Sequence, residues 1–391
     1  MITRLRIDNF KAFHNLDIKF NSFNVFVGNN NSGKSSLLLA LSFLSYSTKK
    51  DFSDFLDKRH LKIDNLKSMF NPNNNLIKFN VDFEVLVDNK FKELNWGLYI
   101  NVDIKSNTAE LAEEWVRDKN NEYLRYNRNE KIFSRRRSDG LIEQTACFTY
   151  TSSILRFIKS DTDSKDFPEL CAIKRFFDNS FSFELLDPFE MRQKSFGISN
   201  SIGENGSLLP SFVKGLDEKH RRSLASKLNK LDNYITEVST ITLGNDLVEL
   251  VVKEQFNTSS INISSLDLSD GTLRLIALAS ITEMKCNNGF ILLEEIENGI
   301  NTQKVEDLIN LLTNFASKNS MQMFWTTHST VFVDYINTDQ IYYMSRTPDN
   351  GQFIIRPLFS NNSFKDEFDQ LYPGEILLNM AENEILERLL K

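Results

Sequence analysis

Cysteine is scarce in this chain. Three occur in 391 residues, Cys147, Cys171 and Cys286, far apart and in no CxxC spacing. That argues against a disulfide framework and against a zinc site, and it fits reduced thiols in the cytoplasm. Long apolar runs are missing too. LLLALSFL, Leu37 to Leu44, is well short of the ~20 residues that span a bilayer. The opening MITRLRIDNF has no apolar core of signal-peptide type, so a soluble cytoplasmic protein is expected. No internal repeat and no sustained heptads occur, which excludes a solenoid and a long coiled coil. Nor is there a basic excess. Lys and Arg number 46 against 53 Asp and Glu, a net charge of -7, which excludes a uniformly basic nucleic-acid coat and leaves only a local groove open.

What is present is ample core. The composition is 41% hydrophobic with 32 phenylalanines, enough for one large or two ordinary domains. ITRLRI, LDIKF and FNVFV are short strand-like runs, and a helix is expected from about Ser35 through SSLLLALSFL. Asp51 to Asn75 is expected to be helical, then loop, with Pro72 as a breaker. IKFNVDFEVLV and LNWGLYINVDI alternate as an antiparallel pair should, whereas the highly charged Ala109 to Glu130 is expected to face solvent. Leu224, Leu228, Leu231 and Ile235 share one helical face, and the strands STITLG and LVELVV follow. From Leu266 helix and strand alternate: a helix over about 269–285, FILL, a helix over about 302–317, MQMFWTT and a short helix from Thr330. That alternation predicts a mainly parallel sheet with both faces covered. Pro373 to Lys391 is expected to be one amphipathic helix packed on its own domain.

Two stretches carry chemistry. Gly28 to Ser35 reads GNNNSGKS, a full G-x-x-x-x-G-K-[ST] match between an apolar strand and a helix. Backbone N–H groups from Gly28, Asn29, Asn30, Asn31, Ser32, Gly33, Lys34, Ser35 and Ser36 are the expected cradle for phosphates. Lys34 would reach the β- and γ-phosphates of ATP, and the Ser35 hydroxyl would bind Mg²⁺. The second stretch is ILLEEIENGI, Ile291 to Ile300, an apolar strand that runs into adjacent carboxylates. Like charges at a strand end need a cation or a proton-handling task. Glu294 is expected to hold Mg²⁺ mostly through water, leaving Glu295 to orient or deprotonate an attacking water. Glu297 reads equally as a solvated loop acid or a functional one. His328, just past MQMFWTT, reads equally as a packed core residue or a hydrogen-bonding partner of the γ-phosphate or the water.

In order, GNNNSGKS, LSDGTLRLIAL (Leu268 to Leu278), ILLEEIENGI and TTHS (Thr326 to Ser329) resemble the ABC-type ATPases, the branch containing the SMC proteins and the OLD (overcoming lysogenization defect) family. The likeness is nearest to the stand-alone AAA ATPases of abortive-infection and related anti-phage systems. IDNFKAFHNLDIKF is similar to the opening strands of that group, and SFELLDPFEMR and LLPSF loosely to its lid. The resemblance implies an α/β fold of ABC-head type: a mixed architecture with an antiparallel N-terminal β-subdomain, a mainly parallel core sheet covered by helices, and a helical and mixed lid insertion. Residues 1–60 and 260–391 would form the two lobes of the ATPase core, with 61–259 as a β-hairpin and helical insertion. It further implies that Ser269, Asp270 and Gly271 are a signature motif acting in trans on the γ-phosphate held by a second copy. Glu295 would be the catalytic glutamate, His328 the switch histidine, and Asn298 and Asn301 part of the loop coupling the two sites.

Three departures are visible. Glu294 stands where Asp is commoner, Asp270 stands where Gly is commoner, and no glutamine lies between Gly33 and Gln144 to supply the usual Q-loop ligand. OLD proteins carry a Toprim nuclease after the ATPase. The stretch after TTHS is too short for one, so a separately encoded effector, a nuclease, is the expected partner. SRRRS (Ser134 to Ser138) and KHRR (Lys219 to Arg222) are the densest basic patches. Solvated faces balanced by neighbouring acids are their expected role, with phosphate contact of DNA or RNA the alternative. The functional expectation is a homodimeric ATP-hydrolysing switch controlling that effector in phage defence. The alternatives are an SMC-like DNA clamp and a non-catalytic ATP-gated scaffold or antitoxin.

Overall fold

A computed structural model describes residues 1–184, 186–359, 364 and 371–390. Leu185, inside the lid-like stretch, and Lys391, at the end of the expected terminal helix, lie outside the described residues.

Alternating and β-branched runs in the first third of the chain form an antiparallel sheet. Its strands are β1 (Ile2–Asp8), β2 (Leu16–Lys19), β4 (Leu76–Val87), β5 (Lys90–Asp103), β6 (Thr108–Arg117), β7 (Glu122–Asn127), β8 (Ile132–Arg136) and β9 (Ile142–Gln144), in the order β2-β1-β4-β5-β6-β7-β8-β9. β3 (Phe23–Val27) leaves this sheet and runs through the phosphate-loop sequence into α1 (Lys34–Ser47), followed by α2 (Phe52–Lys58). The middle of the chain contributes α3 (Pro168–Asp178), β10 (Phe181–Phe183), α4 (Pro188–Arg192), β11 (Ser195–Phe196), α5 (Leu209–Gly215) and α6 (Glu218–Leu231). A small antiparallel sheet follows from β12 (Ile235–Thr242), β13 (Leu247–Gln255) and β14 (Ser260–Ser264), with β11 on its edge. The alternating last third supplies α7 (Asp270–Ile281), β15 (Phe290–Glu294), α8 (Val305–Lys318), β16 (Gln322–Thr327), α9 (Thr330–Asp334), β17 (Ile341–Arg346) and β18 (Phe353–Pro357).

The core sheet has the order β10-β15-β16-β3-β17-β18 and is parallel except for β18. Its strands read as continuous apolar runs because both faces are covered. Phe26, Leu292 and Phe324 pack on one side with α1, α3 and the antiparallel sheet. Val25, Val27, Leu293 and Trp325 pack on the other with α5 to α8. Phenylalanine does much of the filling. Phe43 of α1 meets Phe10, Phe52, Phe55 and Phe79 at ring-centroid distances of 5.2 to 5.8 Å. Among the described residues no helix is long and apolar enough to cross a membrane.

The structure corrects the expectation for Ala109 to Glu130. This stretch is not a solvent-facing segment; it forms β6 and β7, with Leu111, Val116, Leu124 and Tyr126 in the core. Its charges alternate with apolar residues at period two, so one face is apolar despite the composition. A β-bulge sets the phase. Tyr99 pairs with Glu113 and Ile100 with Leu111, which leaves Ala112 as the extra residue. Beyond it Glu114 points inward and is fully buried. Its carboxylate accepts from Trp96 Nε1 (2.9 Å), Ser153 Oγ (2.6 Å) and Ile154 N (2.7 Å). Burial nonetheless pushes its pKa up to about 7. The terminal segment is also not one helix. It breaks at Met380 into α10 (Pro373–Asn379) and α11 (Glu382–Leu390), which pack on the protein through Ile376, Ile385, Leu386 and Leu389. Ile235, expected on the face of α6, instead opens β12, still within the same core.

A raised native pKa means that the folded protein holds a proton the unfolded chain releases. Through Glu114, unfolding free energy therefore falls as pH rises from about 4.5 to about 7 and then levels off. Glu114→Gln should remove that slope. It should also cost about 1–3 kcal/mol at pH 8, because an amide cannot accept from three converging donors. Urea titrations across this pH range, read by tryptophan fluorescence, measure both effects.

Candidate functional site

Parallel register brings four strand ends to one edge of the core sheet. Thr327 pairs with Val27, Glu294 with Thr326, and Phe183 with Leu293. The carboxyl ends of parallel strands are where open α/β sheets bind ligands, and GNNNSGKS, the Glu294–Glu295 pair and TTHS leave their strands there.

The loop after β3 curls back on itself. Gly28 lies so close to β17 that a Cβ there would stand 2.1 Å from the Met344 carbonyl oxygen. Gly33 takes φ +97° as the cap of α1, and a Cβ would meet the Phe353 ring at 2.9 Å. Asn31 also has positive φ, Asn30 is exposed, Ser32 is buried and Ser36 half-buried. No side chain caps the first turn of α1 and none of its residues is acidic, which suits the start of this helix to an anion. The Lys34 ammonium donates to the carbonyls of Gly28 (2.8 Å) and Asn29 (3.0 Å) and braces the loop from within. Burial lowers its pKa, with the carboxylates of Glu295, Glu294 and Glu297 opposing that shift.

The Ser35 hydroxyl donates directly to the Glu294 carboxylate, joining α1 to β15. Burial raises the pKa of Glu294; Ser35 opposes this, and the like charges of Glu184 and Glu295 add to it. A crowded carboxylate of this kind is one a hard cation would relieve. Among the described residues no group of three or more His, Cys, Asp and Glu forms a metal cage. A hydroxyl and one carboxylate side by side nevertheless fit Mg²⁺, which takes few protein oxygens and keeps waters and phosphate oxygens.

Glu295 follows at φ +45°, a left-handed conformation uncommon for a side chain of its size. Its N–H donates to the Thr326 carbonyl at 3.0 Å. One carboxylate oxygen lies 2.9 Å from His328 Nε2, and the other accepts from Asn298 Nδ2 at 2.9 Å. His328 is exposed rather than packed in the core. Glu297 is a structural anchor: it accepts from the Thr327 hydroxyl and from His328 N (3.1 Å), fixing the turn that presents the histidine. Asn301 caps the 3₁₀ turn before α8.

Ser269, Asp270 and Gly271 are exposed or half-exposed at the start of α7, and the side-chain hydrogen bonds of Ser269 and Asp270 run to Thr272 and Arg192 rather than to the phosphate loop of the same chain. Ser269 Oγ accepts from Thr272 N at 3.1 Å as an N-cap. Gly271 touches the loop after β15: a Cβ there would be 2.3 Å from the Gly299 carbonyl oxygen. The basic patches are ion-paired on their own surfaces. Arg137 meets Asp166 (2.7 Å) and Glu143 (3.3 Å), Arg135 meets Glu143 (3.1 Å) and Arg222 meets Glu218 (2.8 Å).

Sequence reasoning missed Glu184 and Arg59. Glu184 follows β10 in register beside Glu294 and is buried, ion-paired with Arg59 of the α2 C-terminus, whose guanidinium also donates to Ser42 Oγ at 3.0 Å. The signal was weak, since a three-residue strand FSF ending in Glu has no periodicity to read.

Residues 23–334 match the family described as "AAA domain, putative AbiEii toxin, Type IV TA system". A curated relative from Helicobacter pylori (strain ATCC 700392 / 26695), named ATP/GTP phosphatase, is 24% identical over 357 residues, covering 86% of this chain and 88% of that protein. Among solved structures, the Smc head bound to the C-winged helix domain of ScpA aligns with TM-score 0.56 at 16% identity, covering 91% of this chain and 96% of the other. The Smc head domain with an extended coiled coil, bound to the C-terminal domain of ScpA derived from Pyrococcus furiosus, gives TM-score 0.54 at 14% identity, covering 94% and 99%. The fold is thus that of SMC ATPase heads, as the motif order implied, and the chain belongs to the AAA domain family whose model it matches.

Gly28→Ala should force β3 and β17 apart, lowering stability by roughly 1–3 kcal/mol and weakening ATP binding. Thermal denaturation with and without nucleotide measures both effects.

Proposed function

We propose that this family member closes as a homodimer over two ATP molecules and that its nucleotide cycle switches a separately encoded effector, a nuclease, in anti-phage defence. At the coarser level, the chain is an ATPase of the AAA and SMC-head type. The observation that carries the reading is the contact of Ser35 with Glu294 beside the Glu295–His328–Asn298 network, all at the carboxyl ends of adjacent parallel strands.

In this reading residues 1–60 and 260–391 are the two lobes of the nucleotide-binding unit, and 61–259 is inserted between them, although its β10 returns to the edge of the core sheet and its β4 pairs with β1. The N–H groups from Gly28 to Ser36 and the Lys34 ammonium bind and orient the phosphates. Ser35 and Glu294 would hold Mg²⁺, which when bound offsets charge on the phosphate oxygens. Glu295 orients the attacking water and takes its proton as the water oxygen bonds to the γ-phosphorus and the bond to the ADP oxygen breaks. His328 and Asn298 hold both carboxylate oxygens of Glu295 and so fix its direction. Ser269 and Gly271 of the second copy complete the γ-phosphate's surroundings, which accords with their exposure and with the bonding of the Ser269 hydroxyl to Thr272 rather than to the loop of its own chain. Support for a defence role comes from the description of the family, and support for turnover from the relative named ATP/GTP phosphatase.

Lys34→Ala should abolish ATP binding. Glu295→Gln should keep binding and lose roughly 10²- to 10⁴-fold in turnover. The specific activity of the wild type should rise with protein concentration. Equilibrium binding together with phosphate-release kinetics over a range of protein concentrations tests all three. A wild type that binds ATP but is as inert as Glu295→Gln would make the chain a nucleotide-gated scaffold instead.

A further inference from the structure

α4 reaches the Ser269 turn from outside the core sheet. It is capped by Asp187, whose carboxylate accepts from Phe189 N at 2.9 Å, and it is held by the fully buried Met191. Its last residue, Arg192, grips the turn twice. Its Nη2 donates to the Leu268 carbonyl at 2.9 Å and to the Asp270 carboxylate at 2.5 Å, while its own carbonyl accepts from the Ser265 hydroxyl at 3.0 Å. One residue therefore ties down the stretch from Ser265 to Asp270 through both its backbone and its side chain.

The charge at this turn poses a problem. The free N–H groups opening α7 favour an anion, yet Asp270 places a carboxylate at the first helical position. A carboxylate suits the helix dipole but opposes a phosphate brought to Ser269 and Gly271. Arg192 is the cation ion-paired with it among the described residues, and it is anchored at 25% side-chain exposure while Asp270 stands out at 65%. The acid thus faces outward with its countercharge behind it.

We propose that Arg192 is a positioning residue for ATP turnover. By neutralising Asp270 and holding Leu268 to Asp270, it lets Ser269 and the Gly271 backbone present a charge-balanced turn to the terminal phosphate held by a second copy. This rests on the dimer reading above. The guanidinium serves two purposes at once: Asp270 draws it to the Leu268 carbonyl, and it cancels the field of Asp270 toward the incoming anion.

A double-mutant cycle tests it, with ATP binding measured on dilute protein and turnover measured across protein concentration. Arg192→Ala should leave ATP binding by the phosphate loop unchanged and lower turnover roughly ten- to a hundredfold, as expected for a like charge left unbalanced at a contact. Adding Asp270→Asn should restore most of that loss. Arg192→Gln, which keeps a donor for the Leu268 carbonyl without the charge, should behave like Arg192→Ala and provides the cycle should the alanine variant not fold. Wild-type turnover in Arg192→Gln would overturn the proposal, as would a loss that Asp270→Asn does not reverse, since a merely structural role would not respond to charge. Specific activity that is flat with protein concentration, together with a silent Ser269→Ala, would overturn the dimer reading and this proposal with it. That outcome is recognisable because it does not involve Arg192.

Discussion

The arrangement of the site depends on the parallel register of β3, β15 and β16. Because these strands run the same way and stay level, the phosphate loop after Val27, the acids at Glu294 and Glu295, and the turn at His328 emerge side by side. A shift of one residue in any strand would turn each side chain to the other face and remove Glu294 from Ser35. Both faces are buried, with Trp325 and Val25 on one and Phe324 and Phe26 on the other, so side-chain shape rather than an apolar–polar alternation holds the register.

Gathering carboxylates at one edge concentrates negative charge, and the structure manages it with local partners. Ser35 donates to Glu294, Arg59 pairs with Glu184, His328 and Asn298 hold Glu295, and Thr327 donates to Glu297. The buried Lys34 lies among them, its positive charge opposed by burial and favoured by the acids. Close backbone packing does the remaining work. Gly28 against Met344 and Gly271 against Gly299 leave no room for a Cβ, so the loop and the start of α7 sit directly on neighbouring main chain.

Much of this was legible in one dimension. GNNNSGKS between an apolar strand and a helix, and ILLEE at the end of another, carry their chemistry in residue type and local spacing, and the structure brings them into contact. LSDGT marked a helix start, and Ser269 caps it. What was not legible came from pairing between distant segments. The Ala109 to Glu130 stretch looked solvated because composition hides a period of two, and the extra residue Ala112 then reversed which side faces inward, burying Glu114. The terminal segment carried a helical pattern throughout, yet it breaks at Met380, and Glu382 beyond the break accepts from Asn29 of the phosphate loop at 2.7 Å and from Ser345 at 2.5 Å.

Local sequence alone determined the identity of the phosphate loop, the acidic strand end and the order of the motifs, because loop chemistry and helix capping depend on neighbours a few residues apart. Only the tertiary structure decided that Glu184 joins Glu294, that Glu297 anchors a turn, and that Arg192 of α4 pairs with Asp270. Those partnerships join segments tens of residues or more apart through strand register, loop contacts and helix packing, which local sequence does not encode.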